Sequence, residues 1–178
     1  MTEAQEPLEI LRSGLSTVHQ MLDEGINDMT LEQLNWKSTD AGITPFFSLW
    51  HYVRTEDNII NFVVQGIPTV WIEGGFDERL GLHRTSQGTG MTAAEADQIV
   101  LSNLDTWKKY QQGVWGASEK YLSTMSPEEF NSRKVIIKPL PEMSLWDGLF
   151  NICLSHGLRH VGEIEYARGL LGLGGLTI

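Results

Sequence analysis

The chain has 178 residues, of which 41% are hydrophobic and 20% charged, a composition typical of one globular domain with a substantial core and not of a disordered chain. Its 13 Lys and Arg residues against 23 Asp and Glu residues give a net charge of -10, which argues against nucleic acid or an anionic membrane surface as a partner. A single cysteine, Cys153, excludes an intramolecular disulfide, and no apolar run reaches the roughly 18 residues of a membrane span, so we expect a cytoplasmic protein.

The N-terminal part of the chain carries two helical signals. Apolar residues from Leu8 to Leu22 are spaced alternately by three and four, which predicts a helix over residues 6–25. Thr30 and Gln33 have the spacing of a capping box, which predicts a short helical turn before a loop.

A second long helix is predicted over residues 45–65. Thr44 supplies an N-cap hydroxyl ahead of Pro45, whose missing N–H costs nothing in the first helical turn. Apolar side chains surround most of the helix axis, which indicates burial on several sides, and Gly66 and Pro68 end the helix.

The stretch 67–91 contains five glycines and has no steady hydrophobic period, which predicts a long loop. Loops of this length are uncommon unless they have a function, so we expect this one to help enclose a site. Thr92 and Glu95 form a second capping box, which opens a third helix predicted to run to about residue 123.

The C-terminal part is predicted to contain a short helical turn after Ser126, an extended segment over 135–137 without an evident partner strand, and a fourth long helix. That helix begins after Ser144 and ends at Gly172. Four long helices predict an all-α fold, a single four-helix-bundle domain spanning residues 1–178 with a long crossover loop after helix 2. The apolar stripe of the last helix comprises Leu145, Leu149, Ile152, Ala167 and Leu171.

The last helix also carries two histidines, His156 and His160, one turn apart. Residues spaced by four share a face of a helix, and this face coincides with the apolar stripe, so both rings are expected to point into the bundle. Two buried imidazoles would each need a hydrogen-bond donor and acceptor, or they could bind one transition-metal ion together. The spacing alone leaves both interpretations open.

A third ligand must come from another helix, because one face of one helix cannot surround an ion. His51, on the second and most apolar helix, is the leading candidate. His83 lies in the glycine-rich stretch and is expected to be solvated, with a ring that reaches into a pocket as the alternative. His19 is expected to be a core or pocket-lining residue rather than a ligand. Three histidine ligands without a fourth protein ligand leave a position for water or substrate, as catalytic sites do.

Three other residues near these histidines could contribute. Glu163 projects to the same face as His156 and His160 and could be a catalytic general base, a fourth ligand, an orienting residue or an exposed carboxylate. Cys153 is expected to be a buried structural thiol, and Asp57 is expected to orient a ligand or to bond to a neighbouring helix. Phosphate-binding loops and nucleophile elbows are absent from the sequence, and the histidine pair lacks the glutamate of a zincin peptidase.

The motifs together resemble the DinB/YfiT-like superfamily of metal-binding four-helix bundles. The resemblance rests on WHYVRTED at 50–57, on HGLRHVGE at 156–163 followed by RGLLG at 168–172, and on Trp71 with RLGL at 79–82. It implies a histidine triad, here His51, His156 and His160, that holds zinc or nickel with open coordination. The resemblance further implies that the protein forms a homodimer. It also implies an enzyme that acts on a small-molecule substrate, either a transferase or isomerase that uses a low-molecular-weight thiol or a hydrolase.

Two functions are therefore expected of this sequence. In the first, a metal ion at the triad activates a thiol or water for reaction with a small molecule. In the second, the protein is a noncatalytic stress-response or ligand-binding bundle in which the ion ties two helices together.

Overall fold

Four helical rods, each with an apolar face, form the body of the structure, a computed structural model that describes residues 6–175. Two of the rods contain a π-helical segment in which the backbone bonds widen to i→i+5. The helices are α1 (Glu6–Asn27), α2 (Leu31–Leu34), α3 (Pro45–Asp57, continued by the π-helix Asn58–Gln65), α4 (Val70–Glu73), α5 (Phe76–Leu80), α6 (Ala93–Ala96), α7 (Leu104–Thr124), α8 (Pro127–Ser132), α9 (Leu145–Leu149, continued by the π-helix Phe150–Ser155) and α10 (His156–Leu170).

The rods close into a ring in which α1 packs on α7 and α10, and α3 packs on the same two helices from the other side. Large side chains fill the centre: Trp50, Tyr52 and Trp107 are fully buried. The prediction of an all-α four-helix bundle is confirmed, and none of the described helices has the length and apolar character that a membrane span requires.

The first two predicted helices are confirmed. Thr44 accepts a hydrogen bond from the amide of Phe47, as an N-cap does, and Gly66 ends the second rod in the left-handed conformation. The crossover after it is less irregular than predicted, because residues 67–91 contain α4 and α5. The buried carboxylate of Asp57 accepts the amides of Val70 and Trp71 and so holds the start of α4 against α3.

The prediction of a continuous third helix from residue 92 to 123 is wrong. The capping box at Thr92 and Glu95 is present, but the helix it opens, α6, ends at Ala96. The following segment buries Ile99 and Leu101, which lie two residues apart, and α7 then starts behind the side chain of Asn103.

The extended segment near residue 135 does have a partner. Strand β1 (Lys134–Ile136) pairs antiparallel with β2 (Glu142–Ser144), with Val135 opposite Met143. The expectation of an unpaired segment is therefore wrong. The second strand is not evident from the sequence because it is only three residues long and its last residue, Ser144, is also the N-cap of α9.

The apolar stripe predicted for the last helix matches the buried face at the start of the helix but not further along it. Leu145 and Leu149 are fully buried, whereas Ile152 and Leu171 are only partly buried. The π-helical turns at 150–155 accommodate more residues per turn and so rotate the chain that follows. The buried face of α10 comprises Gly157, His160, Val161, Ile164 and Arg168.

Candidate metal centre

Three histidine rings meet where α3 passes the start of α10. One ligand nitrogen from each of His51, His156 and His160 lies within 4.8 Å of the others, and this is the one such cluster of potential ligands in the part of the chain that the structure describes. The ring centroids are 5.0 Å apart for His51 and His156, 5.1 Å for His51 and His160, and 4.5 Å for the α10 pair. The rings thus enclose a common point.

Hydrogen bonds on the outer side of each ring orient the nitrogens. The Nδ1 of His51 lies 2.5 Å from the carbonyl oxygen of Gln87, that of His156 lies 3.2 Å from the carbonyl of Ile152, and that of His160 lies 2.7 Å from the carboxylate of Glu163. Because all three partners are acceptors, each Nδ1 carries the hydrogen. The Nε2 atoms of His156 and His160 share one hydrogen. Once an ion displaces that hydrogen, every Nε2 presents a lone pair, the form in which imidazole binds a metal.

The π-helical segment before His156 helps to hold that ring. The His156 amide donates to the carbonyl of Cys153 rather than to that of Ile152, its usual partner four residues back. The Ile152 carbonyl accepts the Nδ1–H of His156 instead of its amide. Distortions of this kind are frequently found at functional sites.

The donor set fits a divalent transition metal. Burial, with the charges of His160, His51 and Arg159, lowers the pKa of His156 to about 3, and burial also lowers the pKa of His51. Both rings are therefore neutral at pH 7 and present lone pairs. The Nε2 atoms of His156 and His160 lie 2.8 Å apart, and two nitrogens on one tetrahedral ion would be separated by about 3.3 Å, so a small opening of this pair suffices.

Glu163 lies on the outer side of the His160 ring and not in the cluster itself. Its Oε2 accepts hydrogen bonds from His160 Nδ1 and from the hydroxyl of Ser48 on α3, each at 2.7 Å. Burial alone would raise the pKa of Glu163, but these two hydrogen bonds lower it, so the group is a carboxylate. This geometry fits the orienting role among those considered from the sequence, and a role as general base stays a prediction.

A short segment of the crossover closes on His51. Gly88 has a φ of +96°, and a Cβ there would lie 2.9 Å from His51 Nδ1 and 3.0 Å from Trp50. Arg54, one turn after His51, donates to the carbonyls of Arg84 and Ser86 and holds the same segment on α3. The expectation that the crossover helps to enclose a site is met by these residues.

A buried polar network supports the site from the other side. The Tyr52 ring packs against His156 and His160, with centroid distances of 6.0 and 6.3 Å. Its hydroxyl donates to Glu56, which is fully buried and bonds also to His19 at 2.9 Å and Ser118 at 2.6 Å. His19 is thus buried in the core, one of the two alternatives that the sequence predicted.

The remaining candidate residues lie outside the cluster. His83 is exposed in the crossover and accepts backbone amides. Cys153 is a fully buried free thiol, as predicted, and burial holds its pKa well above the usual range. Asp57 bonds to Tyr110 of α7 at 3.0 Å, which confirms the alternative of a bond to a neighbouring helix.

A cleft of about 500 Å³ opens beside the histidines, with His51 and His156 in its wall. Its lining also includes polar residues of the crossover and the loop between β1 and β2. Sequence reasoning missed that hairpin loop and two basic residues of the cleft, Lys138 and Arg159. A signal existed for Arg159, because it lies three residues after His156 and so shares its helix face; Lys138 gave none.

The fold and the three-histidine cluster define a helical-bundle protein with an open candidate metal centre. The DinB superfamily model matches residues 15–164, and the chain belongs to that superfamily. A crystal structure of a conserved protein from Enterococcus faecalis superimposes with a TM-score of 0.79 at 19% identity, covering 92% of this chain and 96% of that one, and shows the same fold. Comparison with curated proteins gave no match.

Proposed function

We propose that this protein is a metal-dependent enzyme that binds one divalent transition-metal ion, zinc or nickel, through the Nε2 atoms of His51, His156 and His160. The observation that carries the proposal is the common orientation of three rings, each with its Nδ1–H already bonded to an oxygen. An ion held there supplies Lewis acidity, which makes a nucleophile from a thiol or water at neutral pH.

The chain's own residues would provide the binding and the orientation. His51 and His156 lie at the cleft wall, whereas His160 is buried behind them, so a small molecule in the cleft can approach the cluster from one side. Glu163 and the Gln87 carbonyl fix the ring planes, which keeps the three lone pairs directed at one point. The cleft thus supports a bound reactant in a way that a closed structural site would not.

Metal content of the purified chain tests the site. We expect about one ion per chain in the wild type and loss of the ion in His156→Gln and His160→Gln, because two nitrogens hold such an ion weakly. His83→Gln is the matched control, since His83 is exposed and outside the cluster, and it should keep the ion. Full metal content in His160→Gln would refute the proposed ligand set.

Thermal melts and a turnover screen separate an enzyme from a bundle with a structural ion. The loaded chain would be screened with several low-molecular-weight thiols and electrophilic or ester substrates, with and without metal, while chelator melts report stability. An enzyme is supported by turnover that returns when metal is added back to chelated protein. If chelation only lowers the melting temperature and no turnover occurs in any thiol or ester assay, the structural role is the better account.

A further inference from the structure

The cleft beside the histidines is positively charged, although the chain as a whole is acidic. Lys138 from the loop between β1 and β2 and Arg159 from α10 both line it. Among the described residues of the lining, none is Asp or Glu, whereas the chain carries 23 acidic residues against 13 basic ones. The local charge of the cleft is thus opposite in sign to the net charge of -10.

Arg159 is set apart from the other arginines of the protein. Six arginines have hydrogen bonds or ion pairs that hold them in place, for example Arg84 with Asp77 and Arg168 with Asp28. Within residues 6–175, Arg159 is the arginine without such a partner, and Lys138 has none either. Arg159 lines the same cleft as His51 and His156 and directly precedes His160 in the chain. Its charge also helps to lower the pKa of Glu163, one turn further along α10, although no ion pair joins the two side chains.

The rest of the cleft lining is suited to a small molecule that has an apolar part. Apolar side chains come from the first π-helix, the hairpin loop and the second π-helix, and the volume of about 500 Å³ lies within the range of sites for small molecules. The apolar residues are Ile59, Ile137, Pro139, Leu140 and Ile152.

We propose that the cleft selects an anionic small molecule, whose carboxylate or phosphate is bound by Arg159 and Lys138 while its apolar part lies on the hairpin loop and its reacting end faces the histidine cluster. This inference rests on the proposed function for the reaction, but the recognition of the anion is assigned to two residues outside the metal ligands. A guanidinium is the group that binds carboxylate and phosphate oxygens in bidentate geometry, and an ammonium adds a point charge.

Calorimetric titration of the metal-loaded full chain with benzoate, phenyl phosphate and the neutral isostere benzamide tests the assignment. We expect benzoate or phenyl phosphate to bind at least about tenfold more tightly than benzamide, and the better of the two identifies the anion. Arg159→Gln and Lys138→Gln should each weaken binding of that anion about tenfold, as expected for loss of a charge-assisted hydrogen bond. Arg159→Lys should retain part of the affinity.

Lys109→Gln is the matched control, because Lys109 is an exposed lysine on α7 outside the cleft, and it should bind the anions as the wild type does. Metal content measured on every variant keeps this test separate from that of the metal site, since Arg159→Gln and Lys138→Gln should retain the ion. The proposal is overturned if no anionic probe binds, if benzamide binds equally well, or if anion affinity falls on metal removal but is unchanged in both variants.

Discussion

His51 and Gln87 are joined by a hydrogen bond of 2.5 Å from the ring Nδ1–H to a backbone carbonyl, across 36 residues of sequence. The bond fixes the ring on α3 through a segment of the crossover, so the position of that segment and the direction of the His51 lone pair depend on each other. The same segment contains Gly88, whose missing Cβ leaves room for the ring.

Gly88→Ala is therefore expected to weaken metal binding. The added methyl group would meet His51 Nδ1 at 2.9 Å and would have to displace either the ring or the segment that orients it. Loss of such an orienting contact typically costs about 10- to 100-fold in metal affinity. Titration against a competing chromophoric chelator measures the dissociation constant.

Gly90→Ala separates the contact from backbone strain. Gly90 also has a positive φ, +77°, but nothing lies within 4 Å of its Cβ position. It should lose stability by about 1–2 kcal/mol, the cost of the left-handed conformation, and keep its metal affinity. Equal losses of metal affinity in the two variants would show that the contact with His51 is not the cause.

Glu163→Gln tests the orienting carboxylate. The amide keeps the shape of the side chain but removes the negative charge of the group that accepts hydrogen bonds from His160 and Ser48. Metal affinity should therefore fall about tenfold or more. Ser48→Ala should have a smaller effect because the bond from His160 remains. Glu78→Gln, a change at an exposed carboxylate on α5, serves as control.

Turnover at saturating metal distinguishes the two roles of Glu163. If the residue only orients His160, activity per bound ion in Glu163→Gln should stay close to that of the wild type. If it also transfers a proton, activity per bound ion should fall and its pH profile should change.

Local patterns made much of the site predictable from the sequence. A spacing of four on a helix places His156 and His160 together whatever the surroundings, and the apolar character of the second helix identifies His51 as the leading candidate for the third ligand. The start of the second helix after Thr44 and its termination at Gly66 both follow from local backbone preferences. These features need no knowledge of distant contacts.

The features that were missed depend on distant contacts or on unusual backbone geometry. Nothing in the residues Glu142–Ser144 marks a strand until Lys134–Ile136 lies beside them. The chain between Ala96 and Asn103 continues a helical pattern, yet it is not helical in the structure, where Ile99 and Leu101 are buried in the core. Lys138 and Arg159 meet at one cleft only because the hairpin folds onto the last rod.

The buried pair of His19 and Glu56 should give stability a measurable pH dependence. Burial alone would lower the pKa of His19, but the carboxylates of Glu56 and Glu119 outweigh it and leave that pKa raised above 6.5. Burial alone would raise the pKa of Glu56, but His19, Ser118 and Tyr52 outweigh it and leave that pKa below 4.5. Each group therefore stabilises the folded state in its charged form.

The directions of the two pKa shifts define the pH range in which this pair stabilises the fold. The His19 contribution is fully present below pH 6.5 and is lost as pH rises through its raised folded pKa. The Glu56 contribution is fully present above pH 4.5 and is lost as pH falls through its lowered folded pKa. The stabilisation from the pair is thus largest between these two values, and it should decline above pH 6.5 and below pH 4.5.

Urea unfolding of metal-free wild type and His19→Gln at a series of pH values measures the contribution as a difference. The free-energy difference between the two proteins should shrink as the pH rises beyond 6.5. A difference that does not change with pH would mean that the His19 ring is uncharged when folded. His83→Gln should follow the wild type throughout.

Gly157→Ala tests the close approach on which the histidine cluster depends. A Cβ at this position would lie 2.7 Å from Val18 and 2.8 Å from the ring of Tyr52, the ring that also packs on His156 and His160. The first rod or the tyrosine must then move. We expect a loss of about 1–3 kcal/mol in the free energy of unfolding, the usual cost of overpacking, together with weaker metal binding.

Gly162→Ala on the same helix is the matched control. Nothing lies within 4 Å of its Cβ position, so the change removes only the entropic cost of a helical glycine and should raise the free energy of unfolding by about 0.5–1 kcal/mol. Chemical unfolding and chelator competition on both variants measure the two effects. Both substitutions make the same chemical change in one helix. Opposite signs of the change in unfolding free energy would therefore show that the difference lies in the contacts of Gly157. Stabilisation by both substitutions would mean that α10 can shift without disturbing Tyr52.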